Sequence, residues 1–205
     1  MITVVTAITG ERDELKKQPE QEGVRYVCFT DDLKRRSMGW ELLPVCDKFD
    51  PYLNAKIHKV LIHKYIDTDT LWIDGSVEIK KDVLKMAGNY LKDNDIAVYP
   101  FSAWVNSEIK TIEEEVALCC EKNLDKHERI HEQIKDRQYP RQMPAVCTII
   151  FRRNNRQMER LNEKWWSEIC RYSVRDQLSF PYTFPEYYEI GGNILEDFII
   201  HQHAV

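Results

Sequence analysis

The sequence predicts an α/β domain with a mostly parallel central sheet flanked by helices. Three observations predict it. Short β-branched runs such as "ITVVTAI", "VRYVCFT" and "AVCTIIFRR" read as buried strands. They alternate with charged or amphipathic stretches of helical period, the pattern of a parallel sheet with crossover helices. At 205 residues the chain suffices for one core, and no repeat, low-complexity tract or Pro/Gly/Ser-rich linker divides it.

The elements follow in order. "ITVVTAI" is the first strand, and the charged stretch Glu11 to Glu20 is expected to be helical. "VRYVCFT" is a second strand, closed by Asp31 and Asp32, and "WELLPV" a third. In "NAKIHKVLIHKY" the residues Ile57, Val60, Leu61 and Tyr65 recur near helical spacing. "TLWIDGSVEI" is a strand broken by Gly75, "VLKMAGNYLK" a short helix and "DIAVYPF" another strand. Glu108 to Gln138 is mostly charged and helical, and "AVCTIIFRR" is a strand. "NRQMERLNEKWWSEICRYS" is an amphipathic helix with Met158, Leu161, Trp165 and Ile169 on one side.

Composition excludes several classes. With 29 basic and 34 acidic residues the formal net charge is -5, which makes no electrostatic case for nucleic-acid binding. No apolar run approaches the roughly 18 residues of a membrane helix. "MITVVTAITGERDELKK" lacks the basic start and long apolar core of a signal peptide, so a cytoplasmic, reducing location is expected. The six cysteines form no CxxC pair and read as free thiols. No GxGxxG or Walker-type loop supports a classical dinucleotide or P-loop site.

In parallel α/β sheets ligands bind beyond the carboxyl ends of the strands. That rule selects Thr6 to Thr9, Thr30 to Asp32, Asp74 to Ser76 and Tyr99 to Ser102. It also separates two acidic candidates. Asp67-Thr68-Asp69 spells Asp-x-Asp but sits at the amino end of "TLWI", where a turn is expected. Asp74 stands at the carboxyl end of that strand, with Gly75 permitting close backbone approach. Its carboxylate either binds a hard cation such as Mg or Mn or bonds a turn, with Glu78 and Ser76 sharing its face in a strand.

A competing site is "HERIH", a literal HExxH: His127 and His131 share a helix face and Glu128 is a possible base. Its surroundings are almost wholly charged, so a solvated helix is the plainer reading. His58 and His63 are expected at the surface or packing on their helix. His201 and His203 end the chain, as a frayed tail or as ligands that fold back to a metal.

The most distinctive residues lie in the last third. Trp165-Trp166-Ser167-Glu168-Ile169 is followed by Ser173-Val174-Arg175-Asp176-Gln177-Leu178-Ser179-Phe180. Together with "NAKIHKVLIHKY", "LWIDGSVEI" and "YPRQMPAVCTIIFRRNN", these resemble a glycosyltransferase-like family long catalogued as a domain of unknown function. That family has plant Golgi members linked to pectin or mucilage synthesis, and microbial and viral relatives. The resemblance runs from about Asn54 to Tyr182. One departure is "YPFSAWVNSEIK", which lacks the His and Arg usual there.

The resemblance implies a GT-A-type fold: one domain, with residues 1–100 as the nucleotide-binding half and 101–205 as the acceptor half. It implies a UDP- or GDP-sugar donor, a glycan or glycoprotein acceptor, and Mn or Mg. Asp74-Gly75-Ser76 would stand for a shortened Asp-x-Asp, with His201 or His203 as a further ligand. Thr6, Ala7, Thr9 and Asp31 would hold the nucleoside. Lys56, expected just ahead of the helix before Asp74, would meet a phosphate or carboxylate. Asp176 would be the general base of an inverting transfer, or Gln177 would face an oxocarbenium-like centre, with Arg175 orienting Asp176 or meeting the diphosphate. A helix start at Ser173, with Ser173 as cap, is equally compatible with "SVRDQLSF". Trp165 and Trp166 are expected as core and wall. The alternatives are a zinc-dependent hydrolase at "HERIH", a lipid amidase by analogy with one plant member, and a non-catalytic sugar-nucleotide binder.

Overall fold

The computed structural model describes residues 1–10, 13–103, 111–122, 124–139 and 145–201. Its strands are β1 Ile2–Ile8, β2 Val24–Thr30, β3 Glu41–Pro44, β4 Thr70–Ile73, β5 Val77–Ile79, β6 Ile96–Pro100, β7 Ala145–Arg152, β8 Tyr188–Glu189 and β9 Phe198–Ile200. Its α-helices are α1 Pro51–Val60, α2 Val83–Tyr90, α3 Ile112–Glu121, α4 His127–Asp136, α5 Arg156–Arg171, α6 Asp176–Thr183 and α7 Ile194–Asp197. Seven strands form one sheet in the order β3-β2-β1-β4-β7-β6-β8, and β5 pairs with β9 separately. Every neighbouring pair in the main sheet is parallel except β4/β7 and β6/β7. The expected mostly parallel α/β fold is therefore present, with β7 threaded antiparallel into its middle.

The central strands are apolar at consecutive positions because both faces are covered. Val4, Leu71 and Ile73 face a core with Val83 and Met86 of α2. Val5, Trp72 and Ile150 face the other, with Val60 of α1, Trp165 of α5 and Phe180 of α6.

The stretch after β1 departs from expectation: residues 14–21 carry no helix. Its charge pattern suits a helix, but Gln18 takes a different set of bonds. Its buried amide donates to Val77 O at 2.9 Å and accepts from Ile79 N at 2.9 Å, completing β5 as a strand neighbour would. Pro19 follows directly and cannot donate within a helix.

Gly75 separates β4 from β5. A Cβ there would lie 3.0 Å from Ile8 Cγ1 and 3.2 Å from Asp13 Cβ, so a larger residue would need both neighbours to shift by a few tenths of an ångström. Among the described residues all six cysteines are free, and Cys28, Cys119 and Cys147 are buried. No described helix is long and apolar enough to cross a membrane.

Candidate active site at the carboxyl end of β4

Helix α1 positions the site. Asp50 caps it, accepting from Tyr52 N at 2.9 Å and Leu53 N at 3.1 Å, with Pro51 at the first turn. Its far end is held by buried Arg152 of β7, which donates to Lys59 O at 3.1 Å and Val60 O at 3.3 Å. A cation there also suits the negative end of the helix dipole. Lys56 lies inside this helix, not ahead of it as the sequence suggested. Most of what it buries is polar: besides Val60, the residues Asn54, Lys56, His58 and Lys59 are all buried.

Those lysines meet Asp176, the first residue of α6. Lys56 Nζ is 3.0 Å from Asp176 Oδ1, and Lys59 Nζ is 2.7 Å from Oδ2. The second contact is short, a charge-assisted pair between two buried groups. Lys59 also lies 3.5 Å from Asp74 Oδ1, which accepts from Trp72 Nε1 at 2.7 Å. Lys56 donates to Tyr52 OH at 2.8 Å. Asp176 is 3 % exposed. Burial opposes its charge, but the two ammoniums outweigh burial and hold its carboxyl well below the usual range. Burial opposes the charge of both lysines as well, and Asp176 still raises them.

The remaining expected residues divide by place. Thr6, Ala7 and Thr9 lie at the carboxyl end of β1, where the Thr6 hydroxyl is buried without a partner among the described residues. Thr9 donates to Pro51 O at 2.6 Å, and Asp31 accepts from Gly10 N at 2.7 Å. Asp13, whose Cβ abuts Gly75, lines a cavity of about 500 Å³ with Arg35 and Met38. Arg35 Nε is buried there without a partner among the described residues. A larger cavity of about 650 Å³, along the β2–β3 edge, contains none of the candidate residues.

His201 donates its backbone N–H to Ser76 O at 2.9 Å, because β9 runs beside β5. Its ring Nε2 lies 2.9 Å from Glu78 Oε1. Glu78 thus pairs with His201 and does not share a strand face with Asp74, because residues 74–76 form a turn rather than strand. His203 lies outside the described residues. Gln177, next to Asp176, has a buried amide oxygen without a partner among them. Arg175 turns to Glu115, Nε to Oε1, at 2.8 Å. Ser173 does not cap α6; its hydroxyl donates to Asp125 at 2.8 Å and the helix starts at Asp176.

Asp74 Oδ2 carries no hydrogen bond among the described residues, and the side chain is 33 % exposed. One open carboxylate oxygen beside buried Ser76 is a hard but sparse donor set. Such a set would suit Mg or Mn only with most ligands supplied from outside the chain, and among the described residues no three His, Cys, Asp or Glu side chains converge as an independent site would need.

Two other sequence candidates have structural explanations. Asp69 ties the amino end of β4 to Arg153 at 3.0 Å and to Asn154 N at 2.9 Å. In "HERIH" the residues His127, Glu128 and His131 are all exposed on α4, which buries Ile130 and Gln133 instead. His127 Nε2 contacts Cys120 O at 2.9 Å. Nothing there assembles a zinc site among the described residues. Trp165 is core, bonded to Ser179 Oγ at 3.0 Å, and Trp166 packs edge-on to Phe49.

The model of the TOD1/MUCI70 glycosyltransferase-like domain matches residues 1–191. The chain belongs to that family. Among solved structures, this family member is similar to the apo form of the glycosyltransferase GlyE of Streptococcus pneumoniae TIGR4, with a TM-score of 0.52 and 11% identity. The similarity covers 92% of this chain and 44% of GlyE, so the chain spans less than half the length of that protein. It is also similar to mouse xyloside xylosyltransferase 1 in its apo form, with a TM-score of 0.43 and 7% identity over 93% of this chain and 84% of that one. No curated protein matches significantly. The GlyE likeness bears on the fold alone.

The sequence reading missed Lys59, Trp72, Glu115 and Asp125. Lys59 had a signal: it stands three residues after Lys56 and so on the same helix face.

Proposed function

We propose that this family member transfers a sugar from a UDP- or GDP-sugar to a hydroxyl of a glycan or glycoprotein. The observation that carries the reading is Lys59, shared between Asp74 and Asp176 where the parallel strands end. Two ammoniums held there by one buried carboxylate suit a diphosphate, whose charge grows as it leaves. Thr6, Ala7, Thr9 and Asp31, with the Asp13–Arg35 cavity, would seat the nucleoside. A divalent ion held by Asp74, with His201 or His203 brought round from the tail, would supply further charge for the leaving group.

Asp176 takes a different role in this reading from the general base expected from sequence. A carboxylate held ionised by two lysines is a weak proton acceptor. It serves as their counter-ion, while the free Gln177 amide oxygen faces the sugar. The bond from the anomeric carbon to the phosphate oxygen breaks, and its electron pair leaves with the nucleoside diphosphate. The acceptor oxygen bonds the same face of that carbon, and its proton passes to the departing phosphate oxygen. Such same-face transfer retains configuration, in place of the inversion inferred from an Asp176 base.

The test is a melting-temperature screen of nucleotide sugars with and without Mn, followed by NMR of the product anomer. Stabilisation by one nucleotide class and retention are expected. No stabilisation by any nucleotide sugar would overturn the reading, and an inverted product would return the base to Asp176.

A further inference from the structure

Helices α3 and α4, inserted between β6 and β7, hold the chain that leads into Asp176. Asp125, between the two helices, accepts from Ser173 Oγ at 2.8 Å and from Val174 N at 2.7 Å through one oxygen. Ser173 Oγ then accepts from Arg175 N at 3.0 Å. Glu115 of α3, fully buried, accepts from Arg175 Nε at 2.8 Å. Further back, Arg129 of α4 donates to Cys170 O at 3.0 Å, and Tyr172 OH donates to Asp136 at 2.9 Å. Leu178 of α6 completes a small separate core with Ile112, Cys119 and Ile130. The turn 173–175 has no regular structure of its own and no cap on α6. Its conformation is set from outside.

We infer that α3 and α4 form a clamp that sets the Asp176–Gln177 pair against Lys56 and Lys59, with Asp125 and Glu115 as positioning residues. Neither carboxylate need touch substrate. Each fixes a backbone or guanidinium group one to three residues ahead of Asp176. A small displacement of that turn would misplace two side chains at once, and misplacement by about 1 Å is enough to cost on the order of a hundredfold in rate.

The test uses the full chain with Asp125→Ala and Glu115→Ala, Glu115→Gln as the conservative rescue, and Glu132→Gln on exposed α4 as control. Amide exchange is read first. Asp125→Ala should lose at least tenfold protection at residues 174–177, with α5 and β7 unchanged. The kinetic arm rests on the glycosyl-transfer reading. There, turnover of donor should fall at least tenfold while donor KM and nucleotide-induced stabilisation stay within twofold, and Glu115→Gln should recover part of the loss. Unchanged exchange at 174–177, unchanged turnover, or a loss of protection across the whole domain would overturn the clamp. A wild-type chain that turns over no donor removes the transfer reading, and the exchange result alone then decides the clamp.

Discussion

Lys59 lies 2.7 Å from one oxygen of Asp176 and 3.5 Å from one oxygen of Asp74, so a single buried ammonium joins the start of α6 to the end of β4. Removing it leaves Asp176 with Lys56 alone. Breaking a buried ion pair by deleting one partner costs about 3–5 kcal/mol. Lys59→Met should therefore lower stability by an amount of that order in urea unfolding and abolish donor turnover. A loss below about 1 kcal/mol would show that the pair is solvent-compensated.

Asp176→Asn separates counter-ion from base. Loss of a general base costs about 10²–10⁴ in rate. As a counter-ion, Asp176 should show a smaller loss of turnover, below about a hundredfold, with no change in the acid limb of the pH–rate profile. A loss beyond a thousandfold together with disappearance of that limb would restore the base role.

Asp74→Ala probes the cation. Wild type should gain thermal stability from a nucleoside diphosphate with Mn, and more than from either alone. Asp74→Ala should lose the Mn-dependent part only. If the full Mn response persists in the variant, the ion binds elsewhere.

Gly75→Ala tests the close approach of β1. The added methyl would meet Ile8 and Asp13 at 3.0 and 3.2 Å. Overpacking of this kind costs about 1–3 kcal/mol. A melting temperature equal to wild type would mean that the Asp74 turn yields freely.

His58 gives the fold an acid sensitivity. Its ring stacks on Phe29 at 4.0 Å, its Nε2 accepts from Cys46 N at 3.0 Å, and burial pushes its pKa down to about 4. The unfolded chain, with an imidazole near 6.5, binds a proton first as pH falls. Stability is thus fully present above about 6.5 and is lost between there and about 4, by up to about 3 kcal/mol. His63 is shifted the same way, by burial first, and adds to this window. Melting curves from pH 7.5 to 4.5 check it. His58→Gln, which keeps an acceptor for Cys46, should flatten the dependence, and an unchanged slope would assign it to His63 or another group.

Much of the fold was legible because the central strands are apolar at successive positions and the helices between them are periodic. The candidate site was legible in part. Asp74 and Asp176 followed from strand polarity and family resemblance. Helix α1 was harder, because the face it buries carries lysines and a histidine, and hydrophobic periodicity looks for the opposite. The region after β1 misled because its charges suit a helix, whereas one glutamine amide completing a distant strand decides its path. The roles of Asp125 and Glu115 depend on contacts 48 to 60 residues away in sequence, which no local pattern reports.

The threading of β7 between β4 and β6 has a consequence for assembly during synthesis. When β6 emerges, the edge of β4 it would naturally zip onto must stay vacant for a strand some fifty residues further along the chain. Premature pairing of β6 with β4 would make a plausible-looking but wrong sheet. Delayed closure of a long loop is slow in general. Until residues 145–152 are made, the β4 and β6 edges that β7 joins lack that partner, and unpaired strand edges of this kind are prone to aggregate.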